Sequence, residues 1–172
     1  MPFIAVPEGD GPNMERAFAA RPEVYAAWRQ LVTAVSSASD ERRYELATLA
    51  AARRLRSSYC SLAHGKVLAE KFYDFDSVPA LPDGLDETDR AIMAFAEKVV
   101  ADATAVTADD VEELRELGLS DEEILDVVLA ATIRCFFSKT LDALGVQPDA
   151  HFAGLDPAFR EALTVGRPIE AP

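Results

Sequence analysis

Cys60 and His64 are the residues of this chain best suited to do chemistry. They stand four apart in Ser57-Ser-Tyr-Cys-Ser-Leu-Ala-His64, a stretch whose pattern predicts a helix, so both side chains leave one face a turn apart. An imidazole beside a thiol stabilises the thiolate, which is the nucleophilic form. The predicted helix start near Ser57 would add its positive dipole end, and Arg53, Arg54 and Arg56 would add local charge. Glu45 lies on the preceding predicted helix, and a short connection would fold it onto His64, to orient the ring or relay a proton. Ser57 and Tyr59 are supporting polar groups within a turn of Cys60.

The same residues have plainer readings. A Cys and a His at this spacing also arise by chance in helices, and buried free cysteines commonly only pack. A metal site would have just Cys60, His64 and Glu45 to draw on, so no metal is expected. Cys135 sits beside Phe136 and Phe137 and reads as a packing residue, and His151, beside Phe152, as a surface or interface one.

Around these residues the chain reads as one helical domain over residues 1–172. Pro2, Pro7, Gly9, Gly11 and Pro12 predict an extended arm over residues 1–12, with a short helix at Met14–Ala20. Pro22 suits the first turn of a longer helix, striped by Val24, Trp28, Leu31, Val32 and Val35 and ended by the turn Ser36–Ser39. Further helices are predicted from Ser39 or Asp40 to Leu55, from Ser57 to Tyr73, from Asp86 to Ala103, from Thr107 to a stop at Gly118, and from Ser120 to Leu144. Ser120 with Glu123 forms a capping box. The loop 76–85, with two prolines and a turn signal, is the expected hinge between two helical halves. The tail 148–172 holds one last short helix at Pro157–Leu163. Val and Ile recur with the helical period, so no strand is expected.

Composition narrows the function classes. The net charge is −13, from 17 basic and 30 acidic residues, which disfavours nucleic acid as a partner. Residues 40–71 run against this balance, with seven basic and four acidic residues, and they hold Cys60 and His64. Two cysteines do not make a disulfide scaffold. Charges interrupt every apolar run well before a membrane span, and the N-terminus has no signal-like pattern, so the expected location is the cytoplasm. With no Gly-rich phosphate loop, no bound cofactor is expected.

The segment from Glu45 through Arg53-Arg-Leu-Arg-Ser-Ser-Tyr-Cys60 to His64 resembles the carboxymuconolactone decarboxylase and alkylhydroperoxidase (AhpD-like) superfamily, in its uncharacterised peroxidase-related branch. The stretches Ala91–Phe95, Leu119–Leu129 and Leu141–Val146 are similar to that branch in order and spacing. The resemblance implies an all-α, AhpD-like bundle of about six to eight helices. It also implies a homo-oligomer with its site near a subunit contact. In peroxidase members a glutamate, a C-x-x-C pair and a following histidine form a proton relay and a dithiol. Glu45, Cys60 and His64 match the glutamate, the second cysteine and the histidine, and Ser57 stands where the first cysteine would be.

That serine removes the step in which a sulfenic acid closes onto a neighbouring thiol. Three routes remain for the expected thiol-dependent, antioxidant peroxidase activity and its alternatives. Cys60 could act alone on a peroxide and be resolved by an external thiol reductant. Cys135, or a cysteine of another subunit, could serve as partner. Or His64 and Glu45 could work as acid and base on a small organic acid, as the decarboxylase side suggests. A non-catalytic helical assembly domain is the remaining alternative.

Overall fold

The computed structural model describes residues 2–7, 9 and 11–171. Met1, Glu8, Asp10 and Pro172, and with them part of the expected arm, lie outside the described residues. Among the described residues there are eight α-helices and no strand. They are α1 (Asn13–Ala17), α2 (Pro22–Ala38), α3 (Glu41–Arg54), α4 (Ser58–Lys71), α5 (Glu87–Asp102), α6 (Ala108–Glu116), α7 (Asp121–Ala143) and α8 (Pro157–Leu163). Short 3-10 turns at Val78–Ala80, Ala103–Ala105 and Ala150–Gly154 punctuate them. Among the described residues no helix is long and apolar enough to cross a membrane.

Local chemistry sets most helix starts. Asp40, Asp86, Thr107 and Ser120 each accept a backbone N–H three residues on, and Thr107–Asp110 and Ser120–Glu123 close reciprocal capping boxes. One boundary differs from expectation. Ser36, Ser37 and Ala38 form the last turn of α2 rather than a separate turn, and the chain leaves the helix at Ser39. Ser37 and Ser39 donate their hydroxyls to the carbonyls of Ala34 and Val35, the local bonds a serine makes in the last turn of a helix.

The core is organised on α3, which packs against α4, α5 and α7. Its stretch Tyr44–Ala52 is buried without a break, and the alanines there let neighbouring helices approach closely. Polar residues in this stretch, Glu45 among them, are therefore inside the protein by position. The two expected halves share this one core. The loop after α4 is tied down rather than left free: Val78, Leu81 and Leu85 are buried, and Arg53 of α3 donates to the carbonyls of Val78, Pro79 and Leu81.

A tight turn then sets α4 against α3. Arg56 takes a left-handed backbone, with φ of 57°, and its N–H bonds the carbonyl of Arg53 while that of Ser57 bonds the carbonyl of Ala52. This is a Schellman stop with arginine where glycine is usual. The tail closes over it, with Gly166 donating to the Ser58 hydroxyl at 2.8 Å and Arg56 Nε to the carbonyl of Val165.

Candidate active site

The Schellman turn reverses the chain so that α4 returns along α3, and Cys60, in the first turn of α4, and His64, one turn on, both meet neighbours from other helices. Glu45 Oε2 lies 2.6 Å from His64 Nδ1, the contact the connection was expected to make. Cys60 is 1% exposed, whereas the His64 side chain keeps 17% of its surface, so the imidazole is the member nearer solvent. No hydrogen bond joins His64 to Cys60.

Arg134, a residue that sequence reasoning did not single out, stands between them. One terminal nitrogen of its guanidinium is 3.0 Å from His64 Nε2 and 4.0 Å from Cys60 Sγ. One turn along α7, Ser138 donates its hydroxyl to the same sulfur at 3.1 Å. Arg134 is 3% exposed, and among the described residues no carboxylate pairs with it. The stacked rings of Trp28 and Phe137 lie beside it instead, with their centroids 5.5 and 5.6 Å from the guanidinium carbon. Tyr44 meets the His64 ring edge-on, and burial holds its hydroxyl above the usual range while Arg134 opposes that shift. A signal for Arg134 was present in the sequence. It falls on the buried stripe of α7 marked by Ile124, Val127, Ala130, Ala131, Phe137 and Leu141, where a charge has no reason to be unless something uses it.

The positive charge expected from Arg53, Arg54 and Arg56 is not what faces the sulfur. Arg53 is spent on the carbonyls after α4, and Arg56 on the tail, because each leaves α3 or its turn in another direction. The cation at Cys60 comes from α7. Tyr59 is also turned away: its hydroxyl donates to Asp149 in the tail and its ring meets Phe152 edge-on. Burial and Asp149 push that hydroxyl well above the usual range. Ser57 is fully buried at the start of α4 and faces Asp142, whose carboxyl burial raises, with Ser57 and Arg167 acting against the rise. Neither cysteine is in a disulfide; Cys135 is half-buried, and burial pushes its thiol up despite nearby Lys139. His151 is exposed, with its ring tilted against that of Phe152. Among the described residues no group of three His, Cys, Asp or Glu is placed to hold a metal ion.

A large concave surface lies outside this cluster. A groove of about 660 Å³ runs between α2 and α7, lined by Val24, Trp28, Leu31, Leu129, Ile133 and Phe136. Trp28 is its common wall with the site, since its ring also stacks on Phe137 at 3.9 Å and covers Arg134.

No known family model matches the chain, and no curated protein matches it. Solved structures do. An alkylhydroperoxidase AhpD core, an uncharacterised peroxidase-related protein from Ralstonia eutropha JMP134, superposes with a TM-score of 0.73 at 26% identity, over 82% of this chain and 78% of that one. An uncharacterised peroxidase-related protein from Silicibacter sp. TM1040 gives 0.70 at 20% identity, over 83% and 79%. The debrominase Bmp8, as a cysteine-to-alanine variant with 2,3,4-tribromopyrrole, gives 0.71 at 17% identity, over 90% and 82%. The chain therefore has the AhpD-like, all-α fold, and the structures it resembles are peroxidase-related proteins or related enzymes.

Proposed function

We propose that this protein is a thiol-dependent, peroxidase-related oxidoreductase with Cys60 as nucleophile. The observation that supports this is the continuous run of contacts from Glu45 to His64, to Arg134 and to the enclosed Cys60 sulfur. The sulfur attacks one peroxide oxygen, an S–O bond forms as the O–O bond breaks, and the second oxygen leaves as an alcohol or water. The leaving oxygen takes up one proton, the one the Cys60 thiol gives up on ionising, and His64, oriented by Glu45, is a group near the sulfur able to convey it. The enzyme is left as a sulfenic acid. Two equivalents of a small thiol return it to the thiol, releasing their disulfide and water.

Peroxide consumption coupled to thiol reductants tests the reading. Turnover is expected from the parent and not from Cys60→Ser. Equal inactivity of both with every reductant would sink it.

The Glu45–His64 contact favours one alternative, because an imidazole oriented by a carboxylate can act as acid and base without the sulfur. On a small organic acid that chemistry would vanish in His64→Ala and survive in Cys60→Ser. We also propose a homo-oligomer, supported by the resemblance and by the exposure of Leu31 and Phe136 along the α2–α7 groove. Sedimentation of the parent against Leu31→Asp tests it, with a smaller species expected for the variant.

A further inference from the structure

Arg134 raises a question that the proposed chemistry leaves open: what balances its charge. A guanidinium cannot be deprotonated in a protein, and burying it without an anion is costly. Among the described residues no carboxylate reaches it, and its Nε has no partner. Two stacked rings and Tyr44 lie near it, and its hydrogen-bond contacts are with the His64 Nε2 and the Cys60 sulfur.

Each of those two contacts constrains the partner. A guanidinium has only N–H donors, so a 3.0 Å contact requires His64 Nε2 to accept. The hydrogen of a neutral imidazole must then sit on Nδ1, where Glu45 accepts it at 2.6 Å. A charged imidazolium, with hydrogens on both nitrogens, does not fit between Arg134 and Glu45. The hydrogen-bond contacts that reach Cys60 Sγ come from Arg134 and from Ser138, both as donors. A sulfur approached by two donors, one of them a full cation, is suited to be an anion.

We infer that Arg134 is the counter-cation of a Cys60 thiolate and that it fixes His64 as the neutral Nδ1–H tautomer. The resting ion pair is thus between sulfur and guanidinium, and the imidazole holds the guanidinium in place instead of charging the thiol. The inference rests on Cys60 being the reactive thiol, but its test does not use peroxide turnover.

Nitrogen-15 spectroscopy of the unaltered protein reads the tautomer directly, and only two histidines need assignment. The expected result for His64 at neutral pH is a protonated Nδ1 and a bare Nε2. A hydrogen on Nε2, alone or in an imidazolium, would overturn the inference. The ultraviolet thiolate band reads the sulfur, with Cys135→Ala as parent so that Cys60 is the one thiol. The band is expected in that parent, lost about tenfold in Arg134→Met, largely restored in Arg134→Lys, and kept in His64→Gln. A parent without the band, or a loss in His64→Gln equal to that in Arg134→Met, would overturn it. Failure of Arg134→Met to fold leaves the tautomer measurement standing. A protein inactive toward peroxides but showing both signatures would refute the proposed function and not this assignment.

Discussion

Glu45 and His64 meet at 2.6 Å across the α3–α4 junction, with Glu45 7% exposed and drawn from the helix that packs against α4, α5 and α7. Glu45→Gln keeps the shape and removes the charge. Peroxide turnover is expected to fall by about 10²-fold, and stability by about 1–2 kcal/mol, as a charge-assisted hydrogen bond becomes a neutral one. Initial rates and urea unfolding measure the two effects. A rate within twofold of the parent would remove Glu45 from the proposed chemistry.

Gly65 lies where α4 meets α8. A Cβ there would come within 2.4 Å of Cδ1 of Leu163, a fully buried side chain with little room to yield. Alanine improves helix propensity by about 1 kcal/mol, and overpacking costs about 1–3 kcal/mol, so Gly65→Ala should be destabilising overall. Pairing it with Leu163→Val should recover about 1 kcal/mol relative to the sum of the single changes. Strict additivity in thermal unfolding would show that the two side chains do not compete for that space.

Cys135 should label slowly. Burial holds the Cys135 thiol up, which leaves little thiolate at neutral pH. Peptide mapping after iodoacetamide treatment should find Cys135 modified more slowly than free cysteine. Alkylation at the rate of a free thiol would contradict its half-buried setting.

Asp110 gives a pH signature. Lys98, at 2.7 and 2.6 Å, and the Thr107 N–H hold its carboxyl down to about 2, from 3.8. A depressed folded-state value contributes stability that is present above the unfolded value and lost as pH falls through the folded one. The melting temperature of the parent should therefore exceed that of Asp110→Asn at neutral pH, with the gap closing in acid between about pH 4 and about pH 2. A gap that is constant with pH would assign the effect to the neutral cap of α6 alone.

Much of the fold was legible from short-range chemistry. Asp40, Asp86, Thr107 and Ser120 declared their helix starts because a cap and its target N–H are three residues apart. Cys60 and His64 declared a shared face for the same reason. Glu45 was reachable by argument, since only one short turn intervenes. The partner of Arg134 was not, although its charge stood out on an apolar stripe, because its contact with Cys60 spans 74 residues and depends on how α7 lies across α4. The error over Arg53 and Arg56 has the same origin. Nearness in sequence fixed their distance from Cys60 but not the direction in which their side chains leave the backbone. Tyr59 repeats the lesson, adjacent to Cys60 in the chain yet bonded to Asp149, 90 residues away.

Ser57 decides how the proposed cycle would behave over time. With a hydroxyl buried where a second thiol would sit, an oxidised chain has nothing of its own to close upon at that position. Deprived of reductant, it would spend one oxidant molecule per chain and stop, so that a burst counts active sites. Supplied with reductant, its pace would follow the concentration of the second reagent. Because the sulfur is almost wholly enclosed, slender reagents should set that pace and bulky ones should be excluded.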